Sequence, residues 1–407
     1  MKKWLIITGV LLLVLIIVAA GLFLLLKKPG PVTLTWWGLW EPEAVYQTVI
    51  ADYQRAHPNV TIKYSKQSQL NYRDRVTTAL SSAQGGPDIV RLHNTWLPMF
   101  KNLLTPSTET FANLFYPVIY LDLTSQSKFY GVPLGFDTLV MFVNDDLFRA
   151  GGVNVPTIWD GTNGFLEVAN KLTVKDNYGR IKTAGTALGT ASNTDHWQDI
   201  LSLMMLQAGP DGAAQALGFY GAFSRGQNIW DETQDNSTLA FASGKIAMYF
   251  APSWQYFDLK ALSPNLNFRM VPVPQLPGGT VINFATYWFE GVSKKSPNSL
   301  TAWDFLKFAT SKDELTKTYA AQAKLRAFGE PYPRVDMANL LPESVVIQEA
   351  PTAKSGYLVS GTFDGDTGLN SRIGKYYFDA VNSMLRGADP KSALDTVQKG
   401  VSQVLTK

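Results

Sequence analysis

Tyr130 to Gly152 reads YGVPLGFDTLVMFVNDDLFRAGG. Gly131, Pro133 and Gly135 break regular structure within a few residues. Leu139 to Val143 is an uninterrupted apolar run, short enough for a strand buried on both faces. Asn144 can cap a helix whose first turn carries Asp145 and Asp146, since carboxylates suit a helix N-terminus. Gly151 and Gly152 can stop it. A breaker-rich segment therefore feeds a buried strand and then a short helix. Taken alone, the stretch suits an ordinary βα unit within one lobe. The second reading is a chain leaving one α/β lobe to begin another.

The sequence before it alternates strands and helices. Val32 to Trp36 alternates apolar and polar residues, as a half-buried strand does. Tyr46, Val49, Ile50 and Tyr53 share one helical face. Val60 to Tyr64 alternates again, Tyr72, Val76 and Leu80 mark a second helix, and Asp88 to Leu92 reads as a third strand. This βαβαβ order predicts a parallel sheet with helices on both faces. Further on, Phe165 to Leu172, Trp197 to Ala208 and Ser237 to Ser243 read as helices, and Lys245 to Phe250 as a strand. Ala302 to Ala309, Tyr376 to Leu385 and a last helix capped by Asp389 with Pro390 at its first position complete the pattern.

Several of these segments resemble family 1 extracellular solute-binding proteins, the sugar-binding components of bacterial ABC importers related to maltose-binding protein. The resemblance rests on Trp36-Trp37, His57-Pro58-Asn59-Val60, Gly85-Gly86-Pro87-Asp88 and the YGVP to Ala-Gly-Gly stretch. Its most specific match is Phe241-Ala-Ser-Gly-Lys-Ile-Ala-Met248. It spans roughly Val32 to Lys407. It implies a two-lobed, type II periplasmic-binding-protein-like α/β fold with three crossings and the ligand in the cleft. Phe268 to Pro274 with Pro277-Gly-Gly279 resembles the return crossing, and Lys324 to Gly329 sits where the third is expected. The implied division is 1–31 as anchor and linker, 32–135 plus 273–327 as the first lobe, and 136–272 plus 328–407 as the second. Two departures stand out. The family's lipoprotein cysteine is missing, and residues 94–128 are short and rich in Phe, Leu and Thr.

Composition bounds the function. Charged residues make up 17% and aromatic residues 12%, with 11 Trp, which is a globular composition too aromatic for disorder. A net charge of +3 with no Lys/Arg block argues against nucleic acid as a partner. The absence of cysteine removes disulfides, thiolate metal sites and thiol catalysis. Leu5 to Leu26 is an uncharged, apolar run after Lys2 and Lys3, long enough to span a bilayer. A cleavable signal has a shorter apolar core, so the run reads as an uncleaved membrane anchor with Pro29-Gly30-Pro31 as a linker.

No catalytic constellation is visible. His57, His93 and His196 are isolated and lack metal-ligand spacing; the last two suit a cleft or, better, satisfied structural positions. There is no Gly-x-Ser-x-Gly elbow and no P-loop. The pairs Glu41/Glu43 and Asp145/Asp146 are neighbours in sequence, not carboxylates set across a cleft. Asp364-Gly-Asp-Thr-Gly368 has half of a calcium loop and reads as a turn. No cofactor, metal or catalytic residue is expected.

What the loops offer is aromatic surface. Trp37, Trp40, Trp96, Trp254 and Trp288 follow or open strands, where ligands of open α/β sheets bind. Trp36, Trp159 and Trp303 read as structural. A sugar presents apolar faces to rings and a rim of hydroxyls to polar groups. The resemblance adds Trp254 as a stacking residue and Glu41, Asn94, Asp137 and Arg326 as polar contacts. The expected function is capture of a carbohydrate for an ABC permease, without chemistry, by a monomer held outside the cytoplasm on its own N-terminal helix. The alternatives are a binding protein for a polyamine, phosphodiester or peptide, a ligand sensor, or a carbohydrate-active enzyme.

Overall fold

The computed structural model describes residues 30–405 apart from 83–84, 109–110, 112 and 357–368. The expected anchor at Leu5 to Leu26 and the Asp364 to Gly368 turn lie outside the described residues. Among the described residues, no helix is long and apolar enough to cross a membrane.

Two five-stranded sheets organise the chain. The first runs Val60–Lys66, Val32–Gly38, Ile89–His93, Trp288–Ser293, Leu104–Thr105. Its first three strands are parallel, as the βαβαβ order predicts. Trp288–Ser293 then enters antiparallel from far along the chain, pairing with Ile89–His93 on one side and Leu104–Thr105 on the other. The alternation of Val32 to Trp36 buries Leu34 and Trp36, and the helix Glu43–Ala56 brings Tyr46, Val49 and Tyr53 into the same core.

The second sheet runs Phe268–Val271, Leu139–Asn144, Ile246–Pro252, Ile181–Thr186, Val174–Lys175. All six residues of Leu139–Asn144 are buried, as their apolar run predicts. Val140 and Phe142 pack with Phe241, Tyr249 and Phe268, while Leu139, Met141 and Val143 face a core with Phe165 and Phe250. Both of this strand's neighbours are antiparallel to it. The Asn144 side chain accepts the backbone N–H of Asp146 (3.0 Å) and Leu147 (3.1 Å), and Gly152 ends the helix Asp145–Gly151 in the left-handed region at φ 59°.

The helix starting at Trp197 does not stop at Ala208. Chain direction changes at Gly209 (φ 72°, ψ 178°), Pro210 follows, and helical structure continues to Arg225. Leu369–Leu385 and Pro390–Leu405 pack against it through Val381, Met384, Leu394 and Val397. Asp389 caps the last of these by accepting the Ser392 N–H at 3.0 Å.

Three segments join the lobes, and two of them differ from expectation. Tyr130 to Thr138 is the first: Val132 bridges Glu290 and Thr138 bridges Ala285. A Cβ at Gly131 would lie 2.9 Å from the Glu290 carbonyl oxygen and closer still to the Phe289 ring. One at Gly135 would collide with the Glu330 side chain. Glycine is therefore required for close approach at both positions.

The second crossing was expected between Phe268 and Gly279. Instead Phe268–Val271 pairs with Leu139–Asn144, Val273 is buried in the second core, and the Gln275 N–H donates to the Thr157 carbonyl. The chain crosses later, from Asn283–Phe284 towards Trp288. The third was expected at Lys324 to Gly329. That stretch stays on the first lobe, where the Glu330 N–H donates to Gln322 and Arg334 to the Thr310 carbonyl. The crossing falls at Ala353–Lys354, paired parallel with Asn283–Phe284. Asn283–Phe284 and Ala353–Lys354 thus pair with each other downstream of the positions 273 and 327 at which boundaries were expected. Proline and glycine mark a loop without marking its destination.

The crossings are bonded to one another. The Ala285 N–H donates to the Lys354 carbonyl and the Thr286 N–H to the Asp137 carbonyl. Glu349 is fully enclosed among them. Its carboxyl accepts the Thr138 hydroxyl at 2.6 Å and the Val273 N–H at 2.9 Å. Burial pushes its pKa up to about 8.

Candidate functional site

A cleft of about 670 Å³ lies between the lobes, over the crossings. This is within the size range of small-molecule sites. Its walls are built differently.

On the first-lobe wall Trp288 opens the strand that pairs with His93. Its ring meets Trp96 edge-on at 5.3 Å, His93 at 5.1 Å and Trp40 at 5.4 Å. Beneath it Arg91 extends from the central strand into a buried cluster. Its guanidinium donates to Glu41 and Glu290, each at 2.7 Å, and to the Tyr46 hydroxyl at 2.7 Å. The Trp36 indole donates to the other Glu290 oxygen at 2.9 Å. Burial would draw the Arg91 proton off, but Glu290, Tyr46 and Glu41 outweigh it and hold the pKa well above its ordinary value. His93 places its two ring nitrogens on the Thr95 and Thr286 hydroxyls, and burial pushes its pKa down to about 3, so it is neutral.

Arg326 closes one end of this wall. It donates to the Phe328 carbonyl at 3.1 Å and lies 3.6 Å from Glu41 and 4.0 Å from Glu330. It also stacks over Phe257 of the second lobe at 4.9 Å, where Phe257 and Phe328 meet at 4.6 Å. Burial, and then the neighbouring Glu41, raise the Glu330 pKa to about 8.

On the second-lobe wall the strand Ile246–Pro252 delivers Ser253 and Trp254 into the cleft. Their backbone N–H groups donate to Asp137 on the first crossing, whose carboxylate also takes the Thr138 N–H. Burial raises the Asp137 pKa to about 6 against those hydrogen bonds. The Trp254 side chain is left 37% exposed, with His196 edge-on at 5.7 Å.

His196 stands at the start of the helix Trp197–Arg225 with φ 57°, which turns its ring into the cleft. Nδ1 lies 3.3 Å from Asp199 Oδ2, and Nε2 lies 3.3 Å from Gln255 Oε1. Gln255 in turn donates to Asp258 at 3.3 Å. Burial opposes charge on His196, but Asp199 and then Asp195 overcome it and raise its pKa. Asp195 accepts from Asn236 at 2.8 Å and from the Thr238 hydroxyl.

Of the expected site residues, Trp40, Asp137, Trp254, Trp288 and Arg326 line the cleft. The other four do not. Trp96 is wholly buried behind Trp288, because the turn after the third strand folds it back under the sheet's end. Asn94 is buried, donating to Asp122 at 3.0 Å. Glu41 is buried as a counter-ion of Arg91. Trp37 alternates to the face opposite Trp36 and packs half-buried on the core. Asp137 reaches the cleft with its carboxylate already committed to three backbone N–H groups.

The sequence reading missed Asp195, Asp199, Gln255 and Asp258, and it favoured a structural role for His196. A signal was present. Asp195-His-Trp-Gln-Asp199 is a polar, aromatic cluster immediately before an apolar helix, at a position where a helix N-terminus meets a cleft. Among the described residues, no group of three or more His, Cys, Asp or Glu is placed to hold a metal.

The bacterial extracellular solute-binding protein family matches residues 48–328. An arabinooligosaccharide-binding protein of Bacillus subtilis is 25% identical over 63% of this chain and 69% of its own length. Two solved structures share the fold. A cyclic α-maltosyl-1,6-maltose-binding protein of Arthrobacter globiformis superposes with a TM-score of 0.73 at 17% identity, over 92% of this chain and 99% of its own. A sugar-binding protein of Xanthomonas citri gives 0.71 at 21% identity, over 92% and 97%.

Proposed function

The chain belongs to the bacterial extracellular solute-binding protein family, and from that premise we propose that it captures a mono- or oligosaccharide between its lobes and delivers it to an ABC permease. One observation carries the sugar reading. Trp254, exposed on one lobe, shares a cleft with the Trp40–Trp288 pair of the other, with hydrogen-bonding side chains between them. Rings on both walls suit the two apolar faces of a pyranose. The polar groups suit its hydroxyls, which would each cost about 1–3 kcal/mol if left unpaired in a closed cleft. The sugar ligands of the relatives support the same reading.

The lobes are 32–135 with about 285–352, and the remainder. They hinge at the three crossings, a known mode of closure around a ligand. The protein performs no chemistry. Residues 1–31 hold it to the membrane, with the lobes on the extracytoplasmic side.

The reading is tested by thermal shift across a panel of mono- and oligosaccharides, since a ligand bound to the native state raises apparent stability. A hit is followed by small-angle scattering, where the liganded form is more compact. A panel without a single stabilising sugar, alongside a stabilising non-sugar solute, overturns it. Fractionation of expressing cells tests the anchor: soluble protein beginning near Gly21 refutes it.

A further inference from the structure

The second-lobe wall has an acid it does not satisfy. Asp199 is only 3% exposed, yet it lines the cleft, and among the described residues its Oδ1 has no hydrogen-bond partner. Oδ2 faces His196. A buried carboxylate oxygen without a donor is costly, so one beside an open cavity marks where a ligand donor belongs. Asp258 lines the same wall, held only by the long Gln255 contact. Asp195 adds a third carboxylate, and His196 is the basic side chain among the described residues of that wall. The exposed Trp254 ring beside His196 supplies a further attraction for positive charge. Across the cleft the requirement reverses. Arg326 Nη2 is buried and makes no hydrogen bond among the described residues; Glu41 at 3.6 Å and Glu330 at 4.0 Å are its ion-pair neighbours, which leaves it able to donate to a closer acceptor.

We propose that the wall formed by Asp199, Asp258 and Trp254 is a subsite for a protonated amine, and that the cargo is a saccharide bearing a free amino group. The ammonium donates to Asp199 Oδ1 and Asp258 while lying near the Trp254 ring. A hydroxyl oxygen of the same ligand accepts from Arg326. A plain polyamine meets the first requirement and fails the second. A neutral sugar supplies hydroxyl donors but leaves the surplus negative charge uncompensated, and an N-acylated sugar does the same. This inference rests on the carbohydrate reading above.

The test is titration calorimetry on the full-length protein in detergent at neutral pH. The probes are a trimer of glucosamine, its N-acetylated counterpart, maltotriose and spermidine. The glucosamine trimer is expected to bind tighter than each of the others by on the order of tenfold or more. Asp258→Asn, at an exposed position that folding tolerates, is expected to cut that preference several-fold. Asp199→Asn is expected to abolish it. Neutral or acetylated sugars binding as well as the amine overturn the inference and leave the carbohydrate reading standing. Spermidine binding with no saccharide binding overturns the carbohydrate reading and with it the amino-sugar cargo. Failure of all four probes overturns the proposed cargo as well. An amine preference that survives both substitutions overturns the assigned subsite.

Discussion

On the first-lobe wall Arg91 is enclosed by Glu41, Glu290 and Tyr46. On the second-lobe wall Asp199 has His196 on one oxygen and, among the described residues, no hydrogen-bond partner on the other. One wall brings its charges together inside the lobe, and the ligand meets mainly braced rings. The other leaves polar capacity directed at the cavity. Polar groups satisfied within the protein build a rigid surface, and groups left unsatisfied select what binds there. The aromatic residues follow the same division. Trp288 rests on Trp96 and His93, whereas Trp254 stands out on a loop tied down through its backbone.

Arg91→Met puts the sharpest strain on this contrast. It leaves two buried carboxylates without their cation, and breaking a buried pair typically costs about 3–5 kcal/mol. A large fall in melting temperature is expected; an unchanged one would show that the first wall does not depend on its internal pairing. Trp288→Ala comes next, with about 2 kcal/mol lost in stability because its ring is half-buried, together with weaker sugar binding. Calorimetry and melting should both change. Trp254→Ala separates the two. Affinity should fall by about 2 kcal/mol or more, roughly thirtyfold, while melting moves far less than the 3–5 kcal/mol or so of a buried Trp. Trp254→Phe should retain part of the binding. A Trp254→Ala protein that binds normally but melts much lower would erase the distinction between the walls.

An effect that depends on pH lies between the walls, at Glu349. Its folded pKa of about 8 exceeds the ordinary 4.5. Between those values the folded state holds a proton that the unfolded state has released. This carboxyl therefore lowers stability progressively as pH rises from about 4.5 to about 8. Glu349→Gln can still accept from Val273 and bond Thr138, and it should flatten that part of the stability profile. An identical slope in parent and variant would place the pH dependence elsewhere.

These contrasts were unevenly legible in the sequence. Periodicity gave the βαβαβ opening, and the apolar run with its Asn144 cap gave the buried central strand of the second sheet, since both signals are local. The position of each tryptophan was not local. Trp254 and Trp96 both follow strands, and only the path of the turn after His93 sends one inward. Asp88 to Leu92 was readable as a strand, but nothing in that run says that Arg91 meets Glu290, 199 residues away. The crossings slipped for a related reason. Pro272 to Gly279 and Lys324 to Gly329 carry the turn residues of connectors, and their partners were fixed by packing elsewhere in the chain.

The triple crossing also governs the order in which the molecule can be assembled. Trp36 donates to Glu290, 254 residues later, and Trp288–Ser293 is an interior strand of the first sheet, between Ile89–His93 and Leu104–Thr105. A chain delivered from its amino end therefore shows an open edge at Ile89–His93 until most of its length has emerged. The first lobe to begin is completed only after residues near 350 arrive, and the second still awaits its last two helices. Such distant pairing slows folding. A nascent chain cut near residue 280 would contain neither finished lobe, and its bare strand edge would be exposed to mispairing for as long as synthesis and export take.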